Sequence, residues 1–193
     1  HAHADHIARH ELALATRATA RFYHNRLGNQ HRVREMVFGQ PVEFGGLQLT
    51  AYPAGHCLGS AMLLARNDQQ SLLYTGDFKL GPSATSEPAE VPKADILVME
   101  STFGRPQYRL PPREHVIDQL LETVTGALAA EKTPVIHAYA LGKAQEVTKL
   151  LTNHGFAVLQ HPLIYATSQL YLELGVDLGN VADCLLYTSD AAD

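Results

Sequence analysis

The chain opens with His1-Ala2-His3-Ala4-Asp5-His6, four side chains able to ligate a metal within six residues. In an extended or turn-like segment His1 and His3 project to the same side, and Asp5 and His6 reach beyond them. Imidazole together with carboxylate suits zinc, manganese or iron. Ligands packed this tightly imply two ions rather than one, with the small alanines leaving room around them. A tag remnant is the bland alternative, but tags are unbroken histidine runs without an aspartate at this register.

Two further ligands are expected where strands end. His56 closes the stretch Pro53-Ala54-Gly55-His56, and Asp77 follows the apolar run Leu72-Leu73-Tyr74 in Thr75-Gly76-Asp77. Glycines 55, 59 and 76 let the backbone bend around an ion. A carboxylate at Asp77 can bridge two cations at the ~3.5–4 Å separation of two-metal hydrolases.

The rest of the composition sets bounds. A chain of 193 residues, 46% hydrophobic and 18% charged, suits one globular domain or pieces of two. Its net charge of −5, with no Lys/Arg run, lacks the basic footprint of a simple nucleic-acid-binding module. That argues less against an enzyme whose metal ions bring positive charge. Cys57 and Cys184 form no Cys-x-x-Cys pair, so inert thiols and a reducing cytoplasm are expected. No apolar run reaches the ~18 residues of a membrane span. A start on histidine inside a motif, and the change of character in CLLYTSDAAD, lead us to expect a fragment whose residues 184–193 are a non-native tail.

Along the chain, 7–27 reads as one helix closed by Gly28. A short β region follows, with Gly45-Gly46 as a hairpin turn between Val42, Phe44, Leu47 and Leu49. Residues 60–78 read as two strands joined at Asn67–Gln70, and 81–94 as a Pro/Ser/Glu-rich loop. ADILVMEST (94–102) resembles a fully buried strand. Residues 112–131 read as a helix, TPVIHAYA (133–140) as a strand, 142–155 as a helix ending on glycine, and a strand at 157–160 and a helix near 166–174 follow. The fold class is therefore α/β, mostly β to residue 80 after the first helix and alternating afterwards.

The ordered series HAHADH, PAGH, TGD is similar to the metallo-β-lactamase-fold hydrolases. ILVMESTFG followed by YALGKAQEV resembles their β-CASP branch of nucleic-acid-processing nucleases, with PAGHCLGSA, ESTFGRPQYR and ALGKAQE closest to bacterial ligase-associated DNA exonucleases. The resemblance runs to about residue 175. It implies a partial αββα sandwich over 1–94 leading into a partial β-CASP α/β domain over 95–183. It further implies two zinc ions, with manganese possible in their place: one on His1, His3 and His56, the other on Asp5 and His6, with Asp77 bridging. Asp5, Asp77 and Glu100 are the implied catalytic group. Asp5 would take up the proton of the attacking water, and Glu100 would orient a later histidine near the leaving group; its alternative is a capping acid at a strand end. Gly142, Lys143 and Gln145 match a strand-to-helix turn whose exposed N–H groups would hold a phosphate. His10, His24, His31, His115, His137, His154 and His161 match no motif and are expected to be packed or surface residues. Strands expected before HAHADH and histidines expected after residue 183 are not in this stretch, so full activity is expected of a longer parent.

Phosphodiester hydrolysis of DNA or RNA is the leading function, with nucleic acid as partner and a DNA ligase as a possible associate. The rivals are hydrolysis of a small ester or thioester on the same fold, and a non-catalytic scaffold subunit. The segment 81–175 argues against the first, and the intact ligand set against the second.

Overall fold

The structure is a computed structural model and describes residues 1–185. The expected tail falls outside the described residues beyond Leu185. The chain is α/β, as expected, with three sheets and four helices among the described residues.

A five-stranded sheet carries the site. It runs in spatial order β3 (Pro41–Phe44), β4 (Leu47–Pro53), β5 (Ala61–Arg66), β6 (Ser71–Tyr74) and β7 (Ile96–Val98). The first four strands are an antiparallel meander, because each pair is joined by a short turn; β7 returns parallel to β6 after the 81–94 loop. Alternation sorts the side chains to two faces. On one face Met62, Leu64 and Leu73 pack with Ala54, Phe78 and residues of the 81–94 loop. On the other, Leu49 and Ala51 pack with Met36, Leu14 and Val42.

Residues 7–27 do not form one helix. Leu12–Ala15 is a strand, β1, pairing in parallel with β2 (Arg32–Glu35), and the helix α1 runs over Arg17–Leu27. Thr16 decides the break: its Oγ1 accepts from the Thr19 N–H as an N-cap. The preceding Leu-Ala-Leu-Ala alternates with a period of two, which suits a strand and buries Leu14 towards Met36. Thr16 and Thr19 also donate to the Gly59 carbonyl, at 2.6 and 2.9 Å, fixing α1 to the turn that carries His56.

Helices α2 (Arg113–Ala129), α3 (Lys143–Asn153) and α4 (Pro162–Glu173) follow, with β8 (Val158–Gln160) and β9 (Val181–Asp183) as a parallel pair. Phe22 of α1 meets Tyr171 of α4 at a ring separation of 5.3 Å. They share a core with Ala2, Leu58, Leu141 and Leu178, so the first residues, the His56 turn and the start of α3 converge there.

Two expectations fail in the second half. The strand expected to be fully buried, β7, is the outer strand of its sheet, with Ile96, Leu97 and Val98 all exposed. Residues 133–139 form no strand, because no ladder partner lies beside them among the described residues. Apolar composition reports only a preference for burial; a neighbour must be present to supply it.

Candidate metal centre

His1 and His3 flank Ala2, which points the other way into the core and is 1% exposed. The small residue therefore serves packing rather than leaving space for ions as the sequence suggested. A backbone bond from the His6 N–H to the His3 carbonyl turns the segment back, and the His6 ring lies 4.4 Å from that of His1. The His56 turn is held by Ser60, whose Oγ accepts from the N–H groups of His56 and Cys57, both at 3.1 Å. Gly55 has φ +72°, and a Cβ there would lie 2.2 Å from the Lys79 carbonyl, so only glycine lets the His56 and Asp77 loops approach this closely.

His1, His3, His56 and Asp77 each offer a ligating atom, all within 4.8 Å of one another. One Asp77 oxygen stands 3.7 Å from His1 Nε2, 3.6 Å from His6 Nε2 and 3.7 Å from His56 Nε2. Asp5 is mostly exposed and lies 3.6 Å from His6 Nε2 on the outer side. Four of the six sequence-predicted ligands, His1, His3, His56 and Asp77, thus form one cluster; His6 reaches it through Asp77, and Asp5 reaches only His6.

The spacing fits a metal. Two ligands at ~2.1 Å from one tetrahedral ion stand roughly 3.4 Å apart, close to these separations and too far for hydrogen bonds. His1 Nε2 is buried without a hydrogen-bond partner, which is costly unless something binds the lone pair. The His3 tautomer is also fixed suitably. Its Nε2 lies 3.0 Å from the Leu141 carbonyl, which can only accept, so Nε2 carries the proton and Nδ1 is left bare towards His56 Nε2 at 3.3 Å. Ligating histidines are commonly oriented in this way. Burial, reinforced by His3, lowers the pKa of His56 and favours the neutral imidazole that a metal needs.

Glu100 stands just beyond β7. Its carboxylate accepts from the Phe78 N–H at 3.1 Å and the Thr102 N–H at 3.2 Å, so it braces the loop bearing Asp77. Partial burial pushes its pKa up, but the bonds from Thr102 and Phe78 outweigh this and leave it lowered. These bonds hold the acid at the strand end and steady the Asp77 loop.

The turn at 140–146 differs from expectation. Gly142, φ +86°, precedes α3, and a Cβ on it would lie 3.0 Å from the Cys57 Cβ. Gln145 is fully buried: its Oε1 accepts from the Gly142 N–H, and its Nε2 donates to the Ala140 carbonyl and Ser168 Oγ. The N–H groups of Lys143 and Ala144 are taken by the carbonyls of Leu141 and Tyr139. These three N–H groups are therefore committed internally, and the expected backbone phosphate site does not form from them. Lys143 keeps an exposed ammonium.

Three features were missed in the sequence. The Leu141 carbonyl that orients His3 carries no side-chain signal. Ser60 was visible within PAGHCLGSA, and Glu146 within GKAQE, without a reason to single either out. Glu146 is buried, and Lys79, Arg113 and Lys143 reach it at 2.8, 3.1 and 3.3 Å. Burial pushes its pKa up, but bonds from Lys79 and the surrounding cations prevail and hold it below the ordinary range. The remaining histidines behave as expected: His24 and His154 meet carbonyls, His161 caps α4, and His137 is exposed. Both cysteines are free, and burial pushes the Cys57 thiol up to about 12.

The α/β chain thus gathers His and Asp side chains from three loops at the end of a sheet into a donor set that could hold a metal ion. No family model matches the chain. It is 36% identical over 178 residues to a probable DNA ligase of Opitutus terrae, covering 91% of this chain and 18% of that protein. It is 36% identical over 105 residues to an RNase J-like protein of Methanocaldococcus jannaschii, covering 53% and 25%. It is 33% identical over 141 residues to the endoribonuclease ysh1 of Aspergillus fumigatus, covering 72% and 16%. The chain thus spans a quarter or less of the length of these curated relatives. It belongs to the β-CASP family of metallo-β-lactamase-fold nucleases.

Proposed function

We propose that this chain supplies the metal-holding half of a phosphodiesterase that acts on nucleic acid, with DNA as the favoured substrate. The cluster of His1, His3, His56 and Asp77, with His6 on the far side of Asp77, is the observation that carries the reading. His1, His3 and His56 would hold one ion and Asp5 and His6 a second, with Asp77 available to both. Zinc, or manganese, bound there supplies Lewis acidity towards phosphoryl oxygens and makes a water acidic enough to lose its proton near neutral pH.

The chain's own residues do the rest. Leu141 fixes the His3 imidazole and Ser60 the backbone turn that carries His56 before anything binds, so little reorganisation remains at the moment of reaction. Glu100 keeps the Asp77 carboxylate in register through Phe78. Asp5, in contact with solvent, is placed to take up the proton released and pass it outward. Gln145 and Gly142 act through the turn rather than on substrate.

DNA is favoured because the match covering 91% of the chain is to a probable DNA ligase, which also supports a ligase as the functional associate. The RNase J-like and ysh1 matches support RNA as the second reading. We further assign 1–94 to a metallo-β-lactamase sandwich and 95–183 to the β-CASP region, with the two joined through β6 and β7. A cytoplasmic location accords with two free cysteines; no helix among the described residues is long and apolar enough to cross a membrane.

The test is end-labelled DNA and RNA incubated with the full-length parent protein, with and without chelator, beside its Asp77→Asn variant. Chelator-sensitive cleavage of DNA that Asp77→Asn abolishes is expected. Metal binding without cleavage of either nucleic acid would overturn the proposal.

A further inference from the structure

We propose that Lys79, Arg113 and Lys143, gathered around the buried carboxylate of Glu146, grip a phosphate of the nucleic-acid strand beside the His/Asp cluster; this rests on the nucleic-acid reading above. Three cations meet one anion, so the group keeps a surplus of two positive charges in a chain whose net charge is −5. A purely structural pair needs only one cation. Lys79 and Arg113 share Oε1 of Glu146, and Lys143, the most exposed of the three, approaches Oε2. The Lys143 side chain is 57% exposed and its ammonium stands farthest from the carboxylate, at 3.3 Å, so solvent screens its pairing and leaves it free to turn to a phosphate.

The position suits a strand threading the site. Lys79 lies two residues beyond Asp77, and Lys143 follows Gly142, where a Cβ would stand 4.0 Å from His3 Nε2. Phosphates repeat about every 3.4 Å along a duplex strand, so a grip here takes one within a few nucleotides of the cluster. It also does what the α3 N-terminus cannot, since the N–H groups of Gly142, Lys143 and Ala144 are already engaged. Glu146 is a positioning residue: it aims cations from the Asp77 loop, α2 and α3 at one point.

The experiment measures binding of short phosphorothioate DNA and RNA oligonucleotides across a salt series, for the wild type, Lys143→Gln, Arg113→Gln and Arg21→Gln. Arg21 pairs with Glu173 on the α1–α4 face and serves as the control. The slope of log affinity against log salt is expected to shrink by about 0.7–0.9 for Lys143→Gln and for Arg113→Gln, and not for Arg21→Gln. Lys143→Arg, which keeps the charge, should retain the wild-type slope. Equal slopes in all variants would overturn the phosphate grip while leaving the nucleic-acid reading intact. A wild type that takes up zinc but binds neither oligonucleotide would overturn that reading itself. The DNA and RNA arms show which backbone the grip serves.

Discussion

Two polar clusters lie a few residues apart and are built on opposite principles. Around Glu146 the charges are paired: three cations reach its carboxylate oxygens at 2.8–3.3 Å. Around Asp77 the imidazoles stop at 3.6–3.7 Å, and His1 Nε2 is buried with no hydrogen-bond partner. The first holds its carboxylate fully paired and keeps two positive charges in surplus. The second is preorganised and unsatisfied, a condition that folding tolerates only where a ligand completes it. The difference separates a cluster that offers surplus cationic charge from one that offers bare ligand atoms.

Substitutions should respond accordingly. The largest effect is expected from Asp77→Asn, which removes the charge that both ligand sets share. Cleavage should fall by roughly a thousandfold or more, since several kcal/mol of charge stabilisation are lost, while elemental analysis shows depleted metal. Unchanged metal content would break the comparison. Next is Gly142→Ala, which forces a side chain into left-handed backbone against Cys57 and displaces the Leu141 carbonyl from His3. Metal affinity should drop about 10–100-fold, the usual effect of losing a histidine's orienting partner, as read by competition with a chelator.

Glu146→Gln should act on stability instead, costing about 1–3 kcal/mol in denaturant titration by removing the buried charge that three cations share. Its pH dependence sharpens the point. The folded-state pKa of Glu146 is lowered, so its stabilisation is present above the ordinary glutamate value and is lost as pH falls through the folded one. The wild type should therefore lose more stability than Glu146→Gln over that acid range. Equal losses would show the Glu146 pairing to be idle. The smallest effect is expected from Arg21→Ala, whose exposed pair with Glu173 is worth less than about 1 kcal/mol in thermal unfolding.

The sequence was most informative where chemistry fixes residue type. His1, His3, His6, His56 and Asp77 were all legible, because few other side chains can ligate and glycines mark the bends that deliver them. The meander was legible as well: Gly45-Gly46 turns a hairpin in which Val42 pairs with Leu49 and Phe44 with Leu47. Backbone contributions were not. The carbonyls of Leu141 and Gly59 position His3 and α1 through groups that every residue carries. The N–H groups before α3 were misjudged for the same reason, as nothing in GKAQE says that Gln145 folds back to occupy one of them. The Thr16 cap was readable but outweighed by the helical composition around it. β7 and residues 133–139 show the opposite limit, since the burial of an apolar run depends on neighbours and not on the run.

The ligand cluster also has a topological consequence. Its members come from residues 1, 3, 56 and 77, so any ion they share closes a loop of roughly 75 residues that the unfolded chain would otherwise explore freely. The ion would act as a removable cross-link, tying the first residues to the far side of the sheet. Because it binds only the folded arrangement, stability should rise with the logarithm of its free concentration. Chelation would then loosen β1, α1 and the His56 turn as one unit, turning metal supply into a control on how long the chain survives proteolysis.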